Sequence, residues 1–161
     1  MTDEWNIWES EHGCPVCHSE QFVPPSGNRK SDILLVGEMP GSEELEKGIP
    51  MVGPMGTVLR TELAVLGHDL RNFRRMNVWF HPPNKNIQCF EYGVQQVIKE
   101  AKDKRIILLM GDEVVLHVPD EIAEDVKVFT KNTMEMVAEQ MCPGVPFIAD
   151  VCIGNSWADK S

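Results

Sequence analysis

A three-layer α/β sandwich, with helices on both faces of a mostly parallel four-stranded sheet, is the fold this sequence predicts, and three observations predict it. Short apolar runs recur at 33–36, 76–80 and 106–110. Stretches of helical period separate them, and glycine or proline punctuates the junctions. Strands alternating with helices bury a parallel sheet on both faces.

Each element has its own justification. Ile33 to Val36 is long enough only for a strand buried on both faces, and Gly37, Pro40 and Gly41 end it. A short acidic turn follows at 42–46, then a helix near 55–66 with Val58, Leu59, Leu63 and Leu66 on one face and Gly67 as its stop. Residues 76–80 are the second strand, and Asn84 to Gln88 is a polar connection. Phe90, Val94, Val97, Ile98 and Ala101 then recur at the spacing of an amphipathic helix over 89–101. Ile106 to Met110 is a buried strand. Beyond it we expect a short helix at 112–118, an irregular or strand segment at 126–130, a helix at 133–141 and a last strand at 145–151.

With 161 residues, 42% of them hydrophobic, the chain can bury a core as one domain spanning 1–161. No segment approaches the roughly 20 apolar residues that span a bilayer, so no membrane partner is expected. The acidic, tryptophan-bearing N-terminus is unlike a signal peptide. Five cysteines, two of them in a CxxC beside histidines, suggest metal ligation in a reducing compartment, hence a cytoplasmic address. A net charge of −10 argues against broad non-specific affinity for nucleic acid, which needs local cations. His68, Arg71, Arg74 and Arg75 form one basic cluster, with the three arginines as the DNA-facing candidates. Lys99, Lys102, Lys104 and Arg105 form another, read as a helix end complementing the helix dipole.

Residues 33–56 have the layout of a ligand site: a buried strand, a Gly-Pro-Gly turn bearing Glu38, and a second glycine-bounded loop. Open α/β sheets collect ligands at the carboxyl ends of their strands, where Glu38 stands. The frame reads Gly37-Glu38-Met39-Pro40-Gly41, then Gly48-Ile49-Pro50-Met51-Val52-Gly53. It resembles the first motif of the uracil-DNA glycosylase superfamily, in particular its iron-sulfur family 4, which reads Gly-Glu-Ala-Pro-Gly and Gly-x-Pro-Phe-Val-Gly. Asn77-Val78-Trp79-Phe80-His81-Pro82-Pro83 is similar to the family's Asn-Val-Val-Lys-Cys-Arg-Pro-Pro, and Ile106 to Gly111 to its apolar strand ending in Leu-Gly. The likeness covers most of 14–118 and fades afterwards.

The resemblance implies a DNA glycosylase acting on uracil or a modified pyrimidine, with Glu38 positioning or activating water and Asn77 reading the base. Gly37, Met39 and Met51 join Asn77 in the implied base-binding set, Met51 standing where the family has a stacking Phe. Each has a structural alternative: Glu38 as a turn acceptor, Met51 as core filler, Asn77 as a strand-end cap. Glu38 and Asn77 are expected to face one shared hollow. The family also holds a [4Fe-4S] cluster on four cysteines, and Cys14, Cys17, His81 and Cys89 stand at the corresponding positions, with His18 and His12 as substitutes for His81. A Cys3His set suits zinc as well as a cluster, and either anchors residues 1–31. The family's His-Pro-Ser has no match; Cys152 stands where its histidine would, completing the base-binding set. The retained Glu38 and Asn77 favour the enzyme. The missing motif and the acidic charge favour a non-catalytic member, a monomer binding DNA, a nucleotide or a replication or repair protein through the same cleft. A third reading is a metal-stabilised interaction protein.

Overall fold

The structure, a computed structural model, describes residues 13–110, 113–156 and 159. The chain divides into two compact units after Leu116. The first unit contains strands β1 (Ser26–Gly27), β2 (Ile33–Gly37), β3 (Arg74–Asn77), β4 (Arg105–Met110) and β5 (Glu113–Leu116), and helices α1 (Ser42–Lys47), α2 (Pro54–Val65) and α3 (Ile87–Glu100). The second carries α4 (Ala123–Met141).

The sheet runs β1-β3-β2-β4-β5, with β2 parallel to both β3 and β4 and the two edge strands antiparallel. Side chains of β2 alternate between two cores, as the period of a strand requires. Leu34 and Val36 pack with Met76, Val78 and Phe80 against Phe90, Val94 and Val97 of α3. Leu35 packs on the opposite face with Met51 and Leu70 against Leu59 and Leu63 of α2. The three-layer α/β/α arrangement expected from the sequence is therefore present within the first unit. Helix α3 crosses the chain beyond β3 so closely that a Cβ on Gly93 would lie 1.7 Å from the carbonyl oxygen of Val78.

Several elements differ from expectation. The sheet has five strands, because Glu113–Leu116, within the stretch expected to be helical, forms β5; its backbone pairs with β4, Ile107 opposite Leu116. Residues 126–130 lie inside α4, a helix of 19 residues. The strand expected at 145–151 does not form. At Ala149 the backbone is met by α4 side chains instead: it donates its N–H to Glu135 Oε1 at 3.1 Å and accepts from Lys131 Nζ at 2.7 Å. Among the described residues, no helix is long and apolar enough to cross a membrane.

Candidate functional site

The parallel register of β2 and β3 sets Gly37 beside Asn77, so the two strands deliver their carboxyl ends to one place. Glycine at 37 leaves room for the Asn77 side chain: a Cβ there would lie 2.4 Å from Asn77 Oδ1 and 3.7 Å from Met51 Cε. The Asn77 carboxamide thus lies over bare backbone. Asn77 is only 4% exposed, and its Nδ2 has no hydrogen-bond partner among the described residues. Leaving a buried donor unmatched costs roughly 1–3 kcal/mol. Asn77 also lines a hollow of about 240 Å³, together with Met39, Glu44, Met51, Pro54 and Met55. Pockets for drug-sized ligands run roughly 300–1,000 Å³, so this one suits a ligand of about one ring.

Two features shape the walls. Met51 is buried at 3% exposure and held at φ 60°, a left-handed conformation that costs a non-glycine residue roughly 1–3 kcal/mol. Glu44 supplies compensation nearby. Its Oε2 accepts the Gly41 N–H at 3.1 Å, while Oε1 accepts the N–H groups of Val52 at 2.9 Å and Gly53 at 2.6 Å. One carboxylate therefore ties the turn after β2 to the loop entering α2, across the hollow. Burial pushes the Glu44 carboxyl up, but the N–H groups of Gly53, Val52 and Gly41 outweigh it and hold it below the ordinary carboxylate value. The reading of the sequence did not single out Glu44; the signal was its place as the third residue of a helix that follows a glycine cap, where it reaches back to Gly41.

The sequence-predicted residues are distributed unevenly. Gly37, Met39, Met51 and Asn77 gather at the hollow. Glu38 does not line it; the residue is exposed at the end of β2, its carbonyl accepting the Trp79 N–H at 2.8 Å. Cys152 is exposed in the second unit, in the segment where the expected strand is absent. The basic cluster needs a larger correction. Arg74 is buried and paired in a fork with Glu100 of α3, at 3.0 and 2.6 Å. Arg75 is also buried and donates to Ser26 Oγ at 3.2 Å. Neither offers its charge to a phosphate at the surface. Only Arg71 of the three is exposed, and Asp69 holds it through a fork of its own. The Arg71 side chain in turn holds the Asp69 carboxyl down at about 2.

A second constellation lies where the N-terminal segment meets β3 and α3. The ligand atoms of Cys14, Cys17, His81 and Cys89 all lie within 4.8 Å of one another, and three of the four residues are buried. His81 Nε2 is 3.5 Å from Cys17 Sγ. His81 Nδ1 stands 2.7 Å from the Pro82 carbonyl, which can only accept, so the ring carries its proton there and turns a lone pair toward the thiols. Asn84 Nδ2 donates to Cys17 Sγ at 3.6 Å. Burial, reinforced by the neighbouring Cys17 and Cys14, pushes the Cys89 thiol up to about 12. At Cys17, burial is outweighed by hydrogen bonds from the Ser19 backbone, the two other thiols and Asn84, which bring it below its usual value. This donor set fits a metal ion, which would deprotonate the thiols and neutralise their repulsion. His18 lies outside the group, and His12 falls outside the described residues. The segment is also docked without metal: Val23 is buried and donates to the Phe80 carbonyl at 2.7 Å, and Phe22 packs on Phe80.

Comparison with known proteins adds a lineage. The family profile described as Uracil DNA glycosylase superfamily matches residues 24–139. A type-4 uracil-DNA glycosylase of Archaeoglobus fulgidus is 35% identical over 103 residues, which is 56% of this chain and 48% of the relative. A protein of the same description from Pyrobaculum aerophilum is 34% identical over 110 residues, 60% of this chain and 53% of the relative. Another from Saccharolobus solfataricus is 32% identical over 111 residues, 61% of this chain and 50% of the relative. The chain spans about half the length of these relatives.

Proposed function

The chain belongs to the uracil DNA glycosylase superfamily, and on that premise we propose that it hydrolyses the N-glycosidic bond of uracil or a modified pyrimidine in DNA. The observation that carries this reading is the buried Asn77 carboxamide at the wall of a hollow of one ring's size, where β2 and β3 end side by side. A carboxamide offers one donor edge and one acceptor, the complement of a pyrimidine's carbonyl and imide N–H. The base is extruded from the stack, enters between Met39, Met51 and Met55, and is held on its polar edge by Asn77. Thioether sulfurs make favourable contacts with aromatic rings, so methionines serve as walls where a ring would otherwise stack.

Hydrolysis breaks the bond between C1′ and the base nitrogen through an oxocarbenium-like sugar. Water adds to C1′, one of its protons is released, and the base departs as an anion that is then protonated. The role proposed for Glu38 is to orient or deprotonate that water, and Asn77 stabilises the charge growing on the base carbonyl. DNA is the partner this chemistry requires. The resemblance implies a [4Fe-4S] cluster at the Cys14, Cys17, His81 and Cys89 group, and the ligand types leave zinc open, either with a role in holding the N-terminal segment. Of the two occupants, the ligand spacing supports zinc.

The exposed position of Glu38, outside the hollow, favours a second reading, in which the same cleft binds DNA or a nucleotide without cleaving it. Oligonucleotides carrying one uracil, single- and double-stranded, separate the two. Enzymatic base loss appears as strand breakage after alkali, and Glu38→Ala is expected to lower it by at least about 100-fold. Retained, salt-sensitive binding with no breakage by the wild type would assign the chain to the binding reading.

A further inference from the structure

We propose that Cys14, Cys17, His81 and Cys89 hold one tetrahedral zinc ion as a structural centre, in place of the four-iron cluster that the family resemblance implies. Ligand spacing carries the argument. Around a single ion, with bonds of about 2.3 Å to sulfur and about 2.0 Å to nitrogen, tetrahedral ligand atoms stand roughly 3.3–3.8 Å apart. In a cubane each ligand sits on a different iron. The same tetrahedral spread is then widened by the iron–iron spacing, to roughly 6 Å. Here the four donor atoms all fall within 4.8 Å, and His81 Nε2 to Cys17 Sγ is 3.5 Å. The 3.5 Å pair already has the separation of two ligands on one ion, and the widest pair has to close by about 1 Å, whereas a cubane would have to push every donor outward. Three of the four residues are buried, and His81 is fixed from behind by the Pro82 carbonyl, so outward movement displaces packed backbone.

The chemistry of the donors agrees. Three thiolates and one imidazole match a closed structural zinc site, with all four positions filled by protein and none left for substrate. The Pro82 carbonyl on His81 Nδ1 and the Asn84 amide on Cys17 Sγ are outer contacts of the kind that orient zinc ligands. The ligands come from the N-terminal CxxC, the chain beyond β3 and the first turn of α3. One ion therefore joins three segments of the first unit that no disulfide links.

The test is metal analysis of the full chain, purified without oxygen from cells supplied with both iron and zinc, so that a labile cluster survives. Zinc, iron and acid-labile sulfide are counted per chain. We expect one zinc, no iron or sulfide, and a colourless protein. Exchange with cobalt should give the intense visible bands of a tetrahedral thiolate site, and these should shift in His81→Cys at an unchanged metal ratio of one. Four irons with matching sulfide and a brown protein would overturn the proposal. One iron without sulfide would overturn the choice of zinc, and a folded protein free of stoichiometric metal would remove the centre altogether. None of these readouts depends on base excision, so the fate of the glycosylase reading is decided separately.

Discussion

At Gly37 the requirement is space. Asn77 Oδ1 occupies the volume that any Cβ at this position would need, 2.4 Å from its centre. The obstacle is the far end of a side chain and not backbone, so the fold can accommodate Gly37→Ala by moving the carboxamide. Stability should then fall by no more than about 1–2 kcal/mol. Excision of uracil should fall by about tenfold or more, since each 1.4 kcal/mol of lost recognition is a factor of ten. Melting temperature and single-turnover rate, measured on the same preparation, check the pair of outcomes; an unchanged rate would mean that the position of Asn77 does not matter. Met51 tells a related story. It sits buried at φ 60° against the same glycine, a strained residue kept at the hollow by the loop around it.

Among the elements, the loop between α1 and α2 is held by one side chain. Glu44 of α1 accepts three backbone N–H groups from Gly41, Val52 and Gly53. Glu44→Gln keeps the shape and removes the charge, and should cost about 1–2 kcal/mol at neutral pH. The pH dependence has a definite sign. The folded carboxyl lies below its ordinary value of 4.5, so its contribution is complete above that pH and is lost as pH falls through the folded value. The gap in melting temperature between wild type and Glu44→Gln should therefore be full near neutrality and close in the acid range below 4.5. A gap independent of pH would contradict the assignment.

These same elements show what could be read in advance. Strand β2 and helix α2 were legible because apolar period and a glycine stop agree there, and β4 and α3 because their apolar pattern alone is clear. Arg74 and Arg75 were misread as surface cations because their partners are distant in sequence, Glu100 lying 26 positions from Arg74 and Ser26 lying 49 from Arg75. Val114, Val115 and Leu116 were too short a run to distinguish strand from helix; pairing with β4 decided it. Val126, Val128 and Phe129 suggested a break by their β-branched and aromatic character, yet α4 runs through them, context overriding a weak local preference. Of the site, the motif residues were visible as a frame, whereas the bracing by Glu44 depends on which N–H groups a folded loop presents.

For the molecule as a whole, charge and site pull in different directions. A net charge of −10 repels phosphate at long range, and two of the three arginines proposed to offset it are buried. The proposed recognition of DNA therefore rests on the hollow, where a flipped base supplies contacts that do not depend on cations. The chain spans about half the length of the relatives it matches.

The most direct test of that claim is the release of free uracil from a single-stranded oligonucleotide, quantified by mass spectrometry for wild type and for Asn77→Asp. The substitution keeps size and replaces the unmatched Nδ2 donor with an anionic acceptor facing the base carbonyl. We predict release by the wild type and a loss of about 100-fold or more in the variant, in line with removal of a buried donor from developing charge. Equal release by the two proteins would contradict the account, because Asn77 would then have no part in holding the base.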